Sequence, residues 1–278
     1  MDGRQALDET DEKSWSEPAE VDRSIPHMAR MYDYLLGGTA NFAVDRELAE
    51  HATAALPGGI EAARANIRTN RRFLVWAVRR LAGELGLRQF LDIGTGIPNA
   101  DNVHAVARQV APDARIVYVD HDPVVLAHAH LLLRGAPEGS TAYVDADLRD
   151  PVTILEQASH TLDLAAPVAL LLIGVLHYVT DDEDPYDLVE CLLGAVAPGS
   201  YLVASHLASD IQPEAMAELS RRHNAAMPAD LSALRDRAEF TRFFAGLELL
   251  DPGVVPLDRW HEPEPAVVPL YGAIGRKP

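Results

Sequence analysis

Gln89-Phe90-Leu91-Asp92-Ile93-Gly94-Thr95-Gly96-Ile97-Pro98-Asn99 is the stretch on which the fold turns. A short apolar run ends in an acid and two glycines, after which Val103, Val106 and Val110 recur at helical spacing. Glycine adopts backbone angles that strain other residues, so the stretch predicts a buried strand, a sharp bend and then a helix. The same texture continues downstream. Arg115 to Val119, Thr141 to Val144, Val168 to Ile173 and Tyr201 to Ser205 are further short apolar runs. Helical patterns separate them, at Val124, Leu126 and Leu131 and again at Leu188, Cys191, Leu192 and Val196. Strands alternating with helices imply βαβ units and a parallel sheet covered on both faces. Two last apolar runs, Leu247 to Val255 and Val267 to Ile274, follow each other without a long helix and suit an antiparallel edge hairpin. The expected fold is α/β, a Rossmann-like, seven-stranded, mostly parallel sheet.

Upstream of Gly86 the pattern is helical. Met28, Met31, Tyr32, Leu35 and Leu36 share a spacing that breaks at Gly37-Gly38, and a longer pattern runs through Ile67, Phe73, Leu74, Ala77, Val78 and Leu81. Residues 25–86 therefore read as an N-terminal helical cap, with the first helices as a lid hinged at the glycines. Residues 1–24 are acidic and aperiodic, the composition of a disordered tail. Residues 87–278 form the Rossmann-like domain, with a helical insertion over 211–246 interrupted by Pro228.

Composition narrows the partners. Lys and Arg number 24 against 42 Asp and Glu, a formal net charge of −18. That charge opposes a phosphate backbone, so a nucleic-acid substrate is disfavoured and a small molecule preferred. A single cysteine, Cys191, excludes an intrachain disulfide framework and a thiolate zinc cluster. The longest apolar run, Ala165 to Leu176, is too short to span a bilayer, and the acidic start does not read as a secretory signal. A soluble cytoplasmic protein is expected, with its oligomeric state unread.

In open parallel sheets ligands bind beyond the carboxyl ends of the strands. After the second run comes Asp120-His121-Asp122-Pro123, and Asp120 stands at the spacing, about 20 residues past the glycine turn, where an acid accepts from ribose hydroxyls. Asp122 before Pro123 reads as a helix cap. The third run leads into Asp145-Ala146-Asp147-Leu148, where a carboxylate could meet the exocyclic amine of adenine and an apolar neighbour could pack on the ring. Asp147 is the first candidate and Asp145 the alternate. Asp92 could order the glycine loop or accept from a ligand amine through water.

At this point the chain resembles the class I S-adenosylmethionine-dependent methyltransferases. The resemblance runs from about Gln89 to the C-terminus, through Ala197-Pro198-Gly199-Ser200-Tyr201-Leu202 and Tyr271-Gly272-Ala273-Ile274. More narrowly, Ala29-Arg30-Met31-Tyr32-Asp33-Tyr34-Leu35-Leu36-Gly37-Gly38, Asn41-Phe42, Asn70-Arg71 and Asp92-Ile93-Gly94-Thr95-Gly96 resemble an actinobacterial S-adenosyl methyltransferase family of the domain of unknown function 574 type. The resemblance implies S-adenosylmethionine as cofactor, held by Gly94, Thr95, Gly96, Asp120, His121, Asp147 and Leu148, and leaves the acceptor open. One departure stands out. Many class members carry a further glycine where this chain has Pro98 and Asn99.

The loop Gly174-Val175-Leu176-His177-Tyr178 lies, in the resembled class, between cofactor and acceptor. Gly174 is then expected near the adenosine and His177 near the chemistry, as a base with a pKa close to neutrality. A structural histidine bonded to backbone is the competing reading. Tyr32 could line the sulfonium or the acceptor through the lid, and Arg71 could pair with the methionine carboxylate. No metal is expected: the remaining histidines do not combine with acids at ligand spacing, and Asp181 to Asp184 reads as a helix start. Two other readings stand beside methyl transfer. One is an NAD-dependent oxidoreductase, since a glycine turn followed by an acid also suits that dinucleotide. The other is a non-catalytic sensor that binds S-adenosylmethionine.

Overall fold

The computed structural model describes residues 22–98, 101–133, 140–260 and 267–278, so residues 1–21 of the expected tail and Asn99 fall outside the described part. Eight strands lie in one sheet: β1 (Gln89–Ile93), β2 (Arg115–Asp120), β3 (Thr141–Asp145), β4 (Ala169–Ile173), β5 (Tyr201–Leu207), β6 (Glu248–Leu249), β7 (Val255–Pro256) and β8 (Leu270–Arg276). Their order is β3-β2-β1-β4-β5-β8-β6, with β7 also paired to β8. Strands β1 to β5 are mutually parallel, and β8 is antiparallel to β5. The mostly parallel sheet with an antiparallel edge is as expected. Its final run is divided, however. A turn in which Gly253 N–H donates to the Leu250 carbonyl splits Leu247 to Val255 into β6 and β7, which gives eight strands rather than seven.

Alternation along the buried strands sorts their side chains onto two covered faces. Leu91, Ile93, Val117, Val119, Leu170, Leu172 and Leu202 face one core, packed with α6 (Pro151–Ala158), α7 (Pro185–Ala195) and the Phe240, Phe243 and Phe244 cluster. Phe90, Ile116, Leu171 and Val203 face the other, under α3 (Gly59–Gly83) and α4 (Val103–Arg108). Helix α5 (Pro123–Leu133) follows β2. The C-terminal half of α3 thus belongs to the sheet's own core through Phe73, Leu74, Ala77, Val78 and Leu81. Its Phe73 and Trp76 rings meet Trp260 at centroid distances of 5.2 and 5.3 Å, contacts worth roughly 0.5–1.5 kcal/mol each beyond area burial.

A third apolar cluster joins α1 (Met28–Leu36), α2 (Ala43–Thr53) and α8 (Pro213–Ala226), where Met31, Leu35, Leu48, Met216 and Met227 meet. The start of α1 is fixed by buried Asp45, which accepts from the His27 N–H at 2.9 Å and the Phe42 N–H at 2.7 Å. Arg30 stands 3.5 Å from the same carboxylate and donates to the Ile25 carbonyl. Sequence and packing therefore place the amino end of α1 over the carboxyl ends of the strands. The short α9 (Arg237–Thr241) completes the stretch between β5 and β6. Among the described residues no helix is long and apolar enough to cross a membrane.

Candidate active site

A cleft with about 1120 Å³ of atom-free space, its open mouth included, lies at the carboxyl ends of β1 to β4. Eleven of the candidate residues read from sequence line it: Tyr32, Arg71, Asp92, Gly94, Thr95, Gly96, Asp120, His121, Asp147, Leu148 and Gly174. His177 does not.

The glycine bend follows from the end of β1. Gly94 and Gly96 have φ of +73° and +67°, angles that disfavour any residue with a Cβ. A Cβ on Gly94 would stand 2.5 Å from Val175 Cγ2, whereas one on Gly96 would meet nothing within 4 Å. One glycine thus allows close packing against the β4 loop, and the other leaves a bare cradle. Asp120, buried at the tip of β2, holds the bend from outside: Oδ2 accepts from the Gly96 N–H at 2.8 Å, and Oδ1 accepts from the His121 and Asp122 N–H groups at 2.9 and 3.0 Å. A carboxylate offers about four acceptor positions, so one remains open on Oδ2. Below the loop, Thr95 Oγ1 donates to Asp92 Oδ2 at 3.1 Å. Burial pushes the Asp92 carboxyl up to about 6, against the opposing pull of Arg71 and the Thr95 bond.

Beyond β3, Leu148 is buried and forms an apolar wall of the cleft. Asp147 is half-exposed and is shared with Arg149, whose N–H donates to Oδ1 at 2.8 Å and whose guanidinium lies 3.2 Å away. Arg149 also pairs with Glu183.

The opposite wall comes from α1, α3, the segment after β4 and the segment after α8. Asn70 of α3 accepts from Ser205 Oγ at 2.7 Å and points its amide at Tyr32 Oη, 3.4 Å away, so α1, α3 and the end of β5 share one polar contact chain. Arg71 donates to the Asp101 carbonyl. His27 Nδ1 lies 2.6 Å from Asp122 Oδ2, and Asp122 Oδ1 caps α5 by accepting from the Val124 N–H, the role read for it from sequence. Burial lowers the His27 pKa, but the hydrogen bond and charge of Asp122 outweigh it and leave it raised. Tyr178 and Asp230 complete this wall. Both Tyr32 and Tyr178 are held as neutral phenols by burial, Tyr178 further so by the nearby Asp230 charge.

His177 sits behind that wall. Residues 176–178 form a 3-10 turn that sends neighbouring side chains in different directions, so Tyr178 faces the cleft while His177 turns inward. Its ring lies 5.6 Å from His206, and burial, with His206, His223 and Arg235 nearby, drives its pKa well below the usual value. Buried Arg235 organises this interior. It donates to the Leu176 and Val179 carbonyls, to Asp181 and to His206 Nε2, which fixes the His206 tautomer with Nδ1 donating to the Leu207 carbonyl. The enclosed His177 imidazole lies apart from the position expected of a base, and its Nδ1 has no hydrogen-bond partner among the described residues, so the backbone-bonded alternative is not what the fold shows either.

His27, Tyr178, Arg149 and Asp230 are the polar lining residues that the sequence reading missed. His27 carried a usable signal, a polar residue directly before a helical pattern. Asp230, on a loop remote from every strand tip, carried none.

A family model described as S-adenosyl methyltransferase matches residues 14–278. Among solved structures, a DUF574 family protein from Streptomyces avermitilis MA-4680 is 41% identical, with 92% of this chain and 99% of that one covered at a TM-score of 0.86. A candidate methyltransferase from Thermobifida fusca YX is 40% identical, with 92% and 96% covered at a TM-score of 0.83. The mitomycin 7-O-methyltransferase MmcR is 17% identical over 79% of this chain and 57% of its own, with a TM-score of 0.51, a likeness of fold alone. No curated protein matches the chain.

Proposed function

The chain belongs to the S-adenosyl methyltransferase family, and from that premise we propose that the strand-tip wall of its cleft holds the cofactor nucleoside and that the acceptor is a small molecule. Family membership makes S-adenosylmethionine the cofactor and methyl transfer the reaction, and it sets aside the NAD-dependent alternative. The residues present fit that cofactor. Gly96 offers a cradle that a Cβ would fill, Asp120 keeps an open acceptor position for a ribose hydroxyl, and Leu148 offers an apolar surface to a base. Asp147 would accept from the adenine amine, with His121 and Gly174 bordering the nucleoside. Arg71 and Asp92 would face the charged groups of the methionine portion.

Bound S-adenosylmethionine supplies an electrophilic methyl on sulfur, open to in-line attack. The chain's own part is to hold an acceptor in line with that methyl and to keep water out. The lid helix α1 contributes His27, Met28 and Tyr32 to the covering wall, so its contacts serve the second task. His177 acts at a distance, because its carbonyl accepts from the Ala233 N–H at 2.7 Å and ties the cleft loop to the segment carrying Asp230.

The observation that carries this reading is Asp120, which bonds the glycine bend and still opens into the cleft. Calorimetric titration with S-adenosylhomocysteine tests it. Asp120→Ala should weaken binding by about 100-fold, and Asp147→Ala, half-exposed and shared with Arg149, by about tenfold. Unchanged affinity in Asp120→Ala would place the nucleoside elsewhere.

A further inference from the structure

The charges around the cleft leave one group over. Arg71 lies in the field of Asp92 and donates to the Asp101 carbonyl, His27 faces Asp122, and Arg149 is shared by Asp147 and Glu183. The Asp230 carboxylate has neither an ion pair nor a hydrogen bond among the described residues, although its backbone is well fixed. Its N–H donates to the Met227 carbonyl, and its carbonyl accepts from His223 Nε2 at 2.8 Å. Burial lowers the His223 pKa and outweighs the opposing pull of that contact and of the Asp230 charge, so the imidazole is a neutral donor to the carbonyl rather than a counter-ion.

Asp230 is also well placed. It lines the cleft on the wall opposite Asp120 and Asp147, close enough to Tyr178 for its charge to act on the phenol, and Tyr32 lines the same cleft. Two half-buried phenols and a carboxylate thus converge on one side of the cleft. Phenol oxygens accept hydrogen bonds, aromatic faces attract cations, and a carboxylate in a partly dry site favours a positive partner over a neutral one.

We propose that Asp230, flanked by Tyr32 and Tyr178, is the specificity-determining residue that anchors a small-molecule acceptor bearing an ammonium group. The inference rests on the assignment of the nucleoside to the opposite wall. An anionic acceptor would meet an uncompensated carboxylate, and a neutral alcohol would leave that carboxylate without its charge partner.

The test uses the whole protein and a small-molecule extract of its source cells, split on a cation exchanger at pH 3, where carboxyl groups are neutral and amines are charged. Each fraction is added to wild type and Asp230→Asn in the presence of S-adenosylhomocysteine for thermal shift, and with methyl-labelled S-adenosylmethionine for transfer. The retained fraction is expected to raise the wild-type melting temperature by about 2 °C or more and to accept label. Asp230→Asn should lose both effects at least tenfold while S-adenosylhomocysteine alone still stabilises it, which shows an intact fold and nucleoside site. Acceptor in the unretained fraction, equal behaviour of the variant, or no response to either fraction overturns the proposal and leaves the nucleoside assignment standing. If S-adenosylhomocysteine fails to stabilise the wild type, the nucleoside assignment itself falls, and the anchor with it.

Discussion

The strand-tip wall of the cleft is built from short consecutive stretches, whereas the facing wall is gathered from segments far apart in the chain. Gly94 to Gly96, Asp120 and His121, and Ala146 to Arg149 each follow directly from a parallel strand, and the register of β1, β2 and β3 alone brings their tips together. Tyr32, Arg71, Tyr178 and Asp230 meet only because α1, α3, the β4 loop and the insertion all pack above the sheet. A wall of the first kind is as stable as the sheet. A wall of the second kind depends on the few contacts that hold its pieces in place.

Arg235 makes four of those contacts, so its replacement should separate the two walls most clearly. Arg235→Met leaves the Leu176 and Val179 carbonyls and His206 Nε2 without their donor and should cost about 3–5 kcal/mol, read from urea denaturation. The strand-tip wall should be less affected, with S-adenosylhomocysteine binding reduced far less than by Asp120→Ala. An equal loss would show that the two walls are one unit.

The walls touch at Gly94 and Val175, which gives a second, smaller test. Gly94→Ala should cost about 2–4 kcal/mol, because the new methyl collides with Val175 and the backbone is already left-handed there. Val175→Gly, which removes both the Cγ2 at 2.5 Å and the Cβ at 2.8 Å, should recover the steric part, about 1–2 kcal/mol, when the double variant is compared with Val175→Gly alone in the same denaturation assay. No recovery would place the strain elsewhere.

The smallest effect concerns pH. The His27 pKa is raised in the fold and that of Asp122 is lowered, so the pair's contribution is full below the ordinary histidine value of 6.5 and above the ordinary carboxylate value of 3.8. It fades as pH rises through the raised His27 pKa, and again as pH falls through the lowered Asp122 pKa. Deprotonated Nδ1 can then accept from the Ala29 N–H, 3.3 Å away, instead of facing the carboxylate as a donor. Replacing His27 with Gln should therefore destabilise by under about 1 kcal/mol at pH 6 and by less at pH 9, compared by thermal melts. A larger penalty at pH 9 would reverse the assigned sign.

The same contrast explains how much could be read in advance. Local periodicity and strand-end acids marked β1 to β5, the glycine bend, Asp120 and Asp147, because each signal lies within a few residues of its structural cause. His177 and Tyr178 are adjacent, and only the direction of a 3-10 turn decides which one faces the cleft, so the sequence pointed to the histidine. The run from Leu247 to Val255 looked like one strand because hydrophobicity does not register the turn that ends at Gly253. Asp230 needed the packing of the insertion before it had any meaning.

Strand β8 has a consequence of another sort. Drawn from the last stretch of the chain, it pairs with β5 along seven residues and carries β6 and β7 on its far side. Until it arrives, a growing polypeptide that has already arranged its cofactor loops presents β5 as a bare ribbon of unpaired amides, a template for a neighbouring chain. Protection against self-association is therefore synthesised after the catalytic framework has been laid down.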